Sequence, residues 1–137
     1  MTAVASAVPA AQASFLAFDF GLKRTGVAVG NRLTRSATPL PTIRAEGDAR
    51  WSLVAARIAD WRPDALVVGV PFHPDGAEHD NTLRARKFAR QLRGRFQLPV
   101  HEVDERYSTT AALADGARDA DAGAAVIILE QFLRSLP

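Results

Sequence analysis

Three acidic positions, far apart in a chain of 137 residues, could bring carboxylates together at one site. Asp19 follows an apolar run, and Glu105 or its neighbour Asp104 follows another. Asp121 begins a final helical pattern. Carboxylates held close together repel one another, and a shared cation or protonation relieves that repulsion. Oxygen ligands without His or Cys favour Mg²⁺ or Mn²⁺, and such a site suits hydrolysis of phosphodiester bonds.

Each acid also has an ordinary structural interpretation. Asp19 could form a turn before Gly21, and Asp121 could cap its helix. Glu105 could belong to a salt-bridged turn at the surface. From spacing alone, both interpretations stay open for every acid.

Basic side chains supply candidate contacts to phosphate. Some lie beside the acids, and three share one face of a predicted helix, at i, i+4 and i+7. Contacts of this kind give affinity for the nucleic-acid backbone without reading its sequence. The alternative for the helical stripe is a solvated face. The candidate nucleic-acid-binding residues are Lys23, Arg24, Arg86, Arg90, Arg93 and Arg106.

The elements that must position these groups follow the order β-β-β-α-β-α-β-α-α. Apolar runs predict five strands, the third of which carries Pro39 and Pro41 and is therefore expected at an edge. The uninterrupted fourth run is typical of a strand buried on both faces of a parallel sheet. The predicted strands are Phe15 to Phe18, Thr25 to Val29, Arg35 to Ile43, Ala65 to Pro71, and Leu98 to Val103.

Helical periodicity predicts the intervening helices. The first has Asp48 as a plausible N-cap and ends at Trp61, and the second ends near Phe96. A third runs from Ser108 through Ala114, and the last starts around Asp121. The histidines at positions 73, 79 and 101 have no ligand spacing and are expected at the surface or in turns. Ligands gather at the carboxyl ends of strands in such sheets.

Composition favours one domain, predicted over residues 15–137. Residues 1–14 are rich in Ala and uncharged, and they are predicted to be a disordered tail. A signal peptide is disfavoured because no Lys or Arg precedes Lys23. The chain has no Cys, which excludes disulfides and thiolate sites, and no apolar run long enough to span a membrane. The absence of Cys leaves the compartment open, and a cytoplasmic protein is the default expectation. We expect a monomer or weak dimer.

Four motifs, in this order, make the sequence similar to the YqgF/RuvX family. That family is described as Holliday-junction-resolvase-like proteins and proposed pre-16S ribosomal RNA nucleases. The resemblance covers nearly everything from Phe15 to Leu136. Its motifs are Phe18-Asp-Phe-Gly-Leu-Lys-Arg-Thr-Gly-Val-Ala-Val29, Val67-Val-Gly-Val-Pro71 with Asp75-Gly76, Asp104-Glu-Arg-Tyr-Ser-Thr109, and Asp121-Ala-Gly-Ala-Ala-Val-Ile-Ile-Leu129.

The resemblance implies an α/β, ribonuclease H-like fold: a mixed five-stranded sheet with helices on both faces. It implies that Asp19, Glu105 and Asp121 are catalytic acids that bind Mg²⁺ or Mn²⁺. The implied activity is endonucleolytic hydrolysis at the 5′ end of pre-16S rRNA in ribosome biogenesis. The implied partners are structured RNA and pre-ribosomal particles. The alternatives are a resolvase acting on branched DNA and a ribosome-assembly factor that binds nucleic acid without cleaving it.

Two features depart from the family pattern. The link from Ser108 to Asp121 is shorter than usual, which leaves Asp119 as an alternative to Asp121. The turn after Pro71 carries His73-Pro74, where the family often has Asn and an apolar residue.

Asp19-Phe20-Gly21 with Gly26 also resembles the phosphate loop of actin-like ATPases, which need a second, related domain to close over the nucleotide.

Overall fold

The computed structural model describes residues 8–105 and 120–137, and these contain one mixed sheet of five strands. The strands lie in the order β3-β2-β1-β4-β5. The β1–β2 and β2–β3 pairs are antiparallel, whereas β4 pairs parallel with both β1 and β5. The predicted strands, including the proline-bearing edge strand, are confirmed. Their bounds are β1 (Ser14–Phe20), β2 (Thr25–Asn31), β3 (Ala37–Ile43), β4 (Ala65–Pro71) and β5 (Val100–Glu105).

Three described helices cover the two faces of the sheet: α1 (Gly47–Trp61), α2 (Asp80–Phe96) and α3 (Ala120–Arg134). Helices α1 and α2 pack on one face, where Phe18 and Phe88 meet edge to face. Helix α3 packs on the other, where Phe15 contacts Phe132. The predicted helix from Ser108 to Ala114 lies outside the described residues. Within the described part, no helix is both long and apolar enough to cross a bilayer.

The pleat of the strands decides which side chains face α3. Alternate residues of a strand point to opposite faces. Ala17 and Val67 belong to the core under α3, and Val103 packs against that core. Asp19 is two residues beyond Ala17, and Glu105 is two beyond Val103. Both acids therefore point to the face that α3 covers.

The beginning of α1 differs from the sequence-based expectation, whereas no cap was predicted for α2. The N-cap of α1 is Glu46, which makes no side-chain capping bond, and Asp48 lies inside the first turn. The prediction of Asp48 as the cap was therefore wrong, although its charge still favours a helix N-terminus. Helix α2 is capped by His79, whose Nδ1 accepts the backbone N–H of Asn81 at 3.1 Å. Thr82 completes a reciprocal capping box with His79.

Residues 8–14, which the sequence analysis placed in a disordered tail, contact the domain. Val8 is buried in the core under α3, and β1 begins at Ser14. The side chain of Gln12 lies 2.8 Å from Nε2 of His101. His101 is half-buried and stacks on Phe132, so it is not the simple surface residue expected from the sequence.

Candidate active site

The three predicted acids lie around the carboxyl ends of β1 and β5. Asp19 is the penultimate residue of β1 and pairs with Gly26 of β2. Glu105 ends β5 and is only 5% exposed. Asp121 lies in the first turn of α3. Strand β4 runs between β1 and β5, so the site is built on rigid elements drawn from three distant parts of the chain.

Gly26 lets the start of α3 reach the sheet beside Asp19. A Cβ atom added at Gly26 would lie 1.8 Å from the carbonyl oxygen of Asp121, which is well inside van der Waals contact. Both of these atoms are fixed to backbone, so only Gly allows this approach. Because Gly26 pairs with Asp19, the first turn of α3 is held next to the acid of β1.

Gly69 provides space in the same way on β4. A Cβ atom there would lie 2.3 Å from Cδ1 of Ile128 and 3.3 Å from Cγ of Glu105. The missing side chain leaves room for α3 and for Glu105 above β4. The two glycines thus account for the convergence of acids that are up to about a hundred positions apart in the sequence.

The electrostatics of Asp19 show that these carboxylates affect one another. Burial, followed by the charges of Asp121 and then Glu105, raises the pKa of Asp19 from 3.8 to about 7. Each of these causes disfavours the ionised carboxylate. An acid held where its own charge is unfavourable is typical of a site that awaits a cation or a proton.

The donor set fits a hard divalent cation in its chemistry. It offers carboxylate oxygens only, and a cation between them would offset both the burial and the repulsion that raise the pKa of Asp19. Among residues 8–105 and 120–137, however, no three Asp, Glu or His side chains are already grouped as a metal site. Asp121 instead pairs with Arg24, whose Nε lies 3.3 Å from the Oδ2 atom of Asp121.

The basic residues beside the acids lie as the sequence suggested, where they are described. Lys23 and Arg24 are exposed in the connection from β1 to β2, and Arg24 contacts Asp121. Arg106 lies outside the described residues, as does Asp119, the alternative to Asp121.

The arginine stripe of α2 consists of Arg86, Arg90 and Arg93, and these residues differ in whether they form ion pairs. Nε of Arg86 lies 3.7 Å from Oε1 of Glu102, and Arg86 also pairs with Glu78. Arg93 lies 3.4 Å from Oε2 of Glu102 and donates to the carbonyl oxygen of Val100 at 2.9 Å. Arg90 is exposed and makes no ion pair within the described residues. Two of the three stripe residues therefore fasten α2 to its surroundings.

Arg50 is a residue near the site that the sequence analysis missed. It lies on α1, is 7% exposed, and donates hydrogen bonds to the backbone next to Lys23 and Arg24. A signal for it was present, because Arg50 is one helical turn before the buried Val54 and so falls on the apolar face of α1. A charged residue on a buried helical face needs specific partners.

Comparison with known proteins supplies a family match. The model of the family described as RuvX, Holliday junction resolvase, matches residues 13–135. A protein of Albidiferax ferrireducens is 74% identical over 123 residues, covering 90% of this chain and 79% of that protein. One from Burkholderia pseudomallei is 52% identical over 139 residues, covering 96% and 95%. Both are named for a proposed activity, as pre-16S rRNA nucleases.

Solved structures with low sequence identity show the same fold. RuvC of T. thermophilus, in complex with a Holliday junction substrate, superposes with a TM-score of 0.57 at 16% identity. The match covers 89% of this chain and 94% of RuvC. Pelota of Archaeoglobus fulgidus matches with a TM-score of 0.53 at 10% identity, over 90% of this chain and 34% of Pelota. The likeness to RuvC confirms the predicted ribonuclease H-like fold.

Proposed function

The chain belongs to the RuvX family, and from this membership we propose that it is a metal-dependent endonuclease that processes the 5′ end of pre-16S rRNA. Its reaction class is hydrolysis of phosphodiester bonds. The observation that carries the proposal is the meeting of Asp19, Glu105 and Asp121 at one end of the sheet, where the charges of the other two acids help to raise the pKa of Asp19 to about 7. No structural role of a surface turn or a helix cap calls for that arrangement.

In this proposal Asp19, Glu105 and Asp121 hold Mg²⁺ or Mn²⁺. When bound, such ions activate water and stabilise the oxygen that leaves phosphorus. The N-terminal dipole of α3 adds positive potential beside Asp121. Burial of Glu105 and partial burial of Asp19 limit the number of water molecules that compete for their oxygens. The protein thus prepares a rigid set of ligands whose negative charge is unfavourable until a cation arrives.

Lys23 and Arg24 are proposed to hold the phosphate backbone beside the acids. Both are exposed, and Arg24 already lies against Asp121. A guanidinium at this position would bind a phosphate group through two parallel N–H···O hydrogen bonds. Arg106, the neighbour of Glu105 in the sequence, stays a predicted contact of the same kind.

On α2, Arg90 is the stripe residue best placed to bind nucleic acid, because Arg86 and Arg93 have carboxylate partners. Replacing Arg90 with Ala should weaken binding of structured RNA and lower its dependence on salt by about one counterion. Arg93→Ala is the matched control, one turn away, and should mainly lower the melting temperature. Fluorescence anisotropy at several salt concentrations measures the first effect and thermal unfolding measures the second. Equal losses of affinity would contradict the division of the stripe.

Structured RNA, presented in pre-ribosomal particles in the cytoplasm, is the proposed substrate because of the names that the relatives carry. The second candidate is cleavage of four-way DNA junctions, which the description of the family favours. A resolvase cuts two strands symmetrically and therefore acts as a dimer. A monomer or weak dimer, as we propose here, suits the RNA reaction better.

The deciding experiment compares the two substrates with purified protein. A labelled pre-16S rRNA 5′ fragment and a four-way DNA junction are incubated with Mg²⁺, with Mn²⁺, or with a chelator. We expect metal-dependent cleavage of the RNA, which Glu105→Gln abolishes and Glu130→Gln leaves intact. Glu130 is a suitable control because it lies on α3, nine residues beyond Asp121, and accepts the backbone N–H of Ala37 at 3.4 Å.

Other outcomes separate the alternatives. Cleavage of the junction alone would replace the RNA proposal with the resolvase. Binding of RNA without any metal-dependent product would indicate an assembly factor. Equal products from the wild-type protein and Glu105→Gln would refute the active site itself.

A further inference from the structure

Arg50 connects helix α1 to the site loop, which we define as residues 21–24, between Asp19 and β2. Its Nη2 atom donates to the carbonyl oxygen of Gly21 at 2.7 Å and also to the carbonyl oxygen of Leu22. Its Nε atom donates to the carbonyl oxygen of Ala45 at 3.2 Å. One side chain thus ties the site loop to the segment that enters α1.

The environment of Arg50 is unusual for a charged residue. The side chain is 7% exposed, and its guanidinium lies over the ring of Phe20, 4.6 Å from the ring centre. Burial lowers the pKa of Arg50, and the charge of Glu46 opposes that change. A buried cation costs free energy unless its donors are used, and here backbone carbonyls and an aromatic face take them up.

The hydrogen bonds fix which way the site loop faces. Because the carbonyl oxygens of Gly21 and Leu22 are held toward Arg50, the Lys23 and Arg24 side chains stand at the surface. Arg24 then reaches Asp121, 3.3 Å away, on the far side of the loop.

We propose that Arg50 is a positioning residue for the phosphodiesterase reaction: it holds the site loop so that Asp19, Lys23 and Arg24 keep the arrangement that the reaction needs. This inference rests on the proposed nuclease function and deepens it. In this proposal Arg50 acts through the backbone of the loop, to which it donates its hydrogen bonds. A guanidinium suits this task better than an ammonium, because its N–H groups are fixed in a planar fork that reaches several carbonyls at once.

The test uses Arg50→Met, Arg50→Lys and the control Val54→Ala. Val54 is completely buried on the same face of α1, one turn away, so its truncation loosens α1 without touching the site loop. We expect Arg50→Met to lower kcat/KM for the cleaved substrate by about tenfold to a hundredfold, the scale at which misplaced reacting groups lose rate. Arg50→Lys should recover part of that loss. Val54→Ala should keep the wild-type rate below its melting temperature.

A second readout does not depend on activity. Trypsin cuts after Lys and Arg, so Lys23 and Arg24 place two cleavable bonds in the site loop. We expect Arg50→Met to be cut there about tenfold faster than the wild-type protein, because local opening of the loop controls access. Cuts within α2, identified by mass spectrometry, should keep their wild-type rate. Val54→Ala should show no selective increase in the site loop.

The outcomes distinguish this inference from the nuclease proposal. If the wild-type protein cleaves neither substrate, the nuclease proposal fails, and the tryptic pattern still reports on the loop. If the wild-type protein cleaves, and folded Arg50→Met matches it both in kcat/KM and in tryptic cutting, the role of Arg50 is refuted. Should Arg50→Met fail to fold, Arg50→Lys decides: wild-type behaviour in both assays would overturn the proposal.

Discussion

Asp19 and Asp64 lie at opposite ends of the paired strands β1 and β4, and the protein treats their charges in opposite ways. Asp64, just before β4, accepts the backbone N–H groups of Ala13 and Ser14 at 2.8 and 2.9 Å. These bonds lower the pKa of Asp64. Burial and the charges of two further acids, Asp121 and then Glu105, raise the pKa of Asp19 to about 7.

This difference distinguishes an acid whose charge stabilises the fold from an acid whose charge the fold disfavours. The charge of Asp64 is stabilised by the fold, and it joins the start of β1 to the start of β4. The charge of Asp19 is destabilised by the fold, which is tolerable only if the residue serves something other than stability. One strand pair thus has a structural end and an end that we propose to be functional, and an aspartate at each can be used to test that assignment.

The largest expected effect is that of Asp19→Asn on cleavage, and Asp64→Asn is its matched control. Asp19→Asn should lower metal-dependent cleavage by about three orders of magnitude, because it removes a ligand worth several kcal/mol of transition-state stabilisation. Asp64→Asn should stay within about twofold of the wild-type protein, since Asp64 lies at the other end of the strands. Single-turnover rates measure both. Comparable losses of cleavage rate in the two variants would contradict the assignment of different roles to Asp19 and Asp64.

The dependence of stability on pH should separate the two acids next. In the presence of a chelator, Asp19 keeps its proton in the folded protein up to about pH 7. In the unfolded chain it releases that proton above its ordinary pKa of 3.8. The free energy of unfolding should therefore fall between about pH 4 and pH 7, by at most about 4 kcal/mol. Asp64 acts in the opposite sense, because its lowered pKa makes its contribution disappear as the pH falls.

Urea unfolding of the wild-type protein and of Asp19→Asn at several pH values checks this. We expect the variant to lose the decline between pH 4 and 7 and to be the more stable protein at pH 8. An unchanged decline would mean that Asp19 is not the acid whose charge opposes folding.

The close packing of the functional end can be tested at its two glycines. Gly26→Ala would place Cβ 1.8 Å from the backbone oxygen of Asp121, so α3 has to move. We expect a loss of about 3 kcal/mol in stability together with most of the cleavage activity. Gly69→Ala would meet the end of the Ile128 side chain at 2.3 Å, which can rotate away. Gly69→Ala should lose clearly less stability and activity than Gly26→Ala. Thermal unfolding and activity assays measure both losses, and a larger loss in Gly69→Ala would contradict the prediction.

The smallest expected effect is structural. Asp64→Asn should lower the free energy of unfolding by about 1 kcal/mol, because two backbone N–H groups exchange a charged acceptor for a neutral one. Chemical denaturation at pH 7 measures this change. A gain in stability would show that the charge of Asp64, like that of Asp19, destabilises the folded protein.

The sequence by itself determined most of the fold and the candidate acids. Apolar runs such as Ala65–Pro71 favour burial on both faces, and two proline residues confine Ala37–Ile43 to an edge, so the strands and the edge position of β3 follow from local chemistry. The motifs around Asp19, Glu105 and Asp121 identified three acids that the fold then brought to one end of the sheet. Periodicity carries this information because burial repeats with the period of each element.

Only the tertiary structure decided which charges are available and which are used. Glu102, on β5, pairs with Arg86 and Arg93 of helix α2, whereas Arg90 stays exposed. Arg50 gained its role from carbonyl groups 28 and 29 positions away. The partner of a charged side chain depends on the register and packing of distant elements, which no local pattern records. The pKa of Asp19 is raised for the same reason, since its burial and then the charges of Asp121 and Glu105 arise only when β5 joins the sheet and α3 packs on its face.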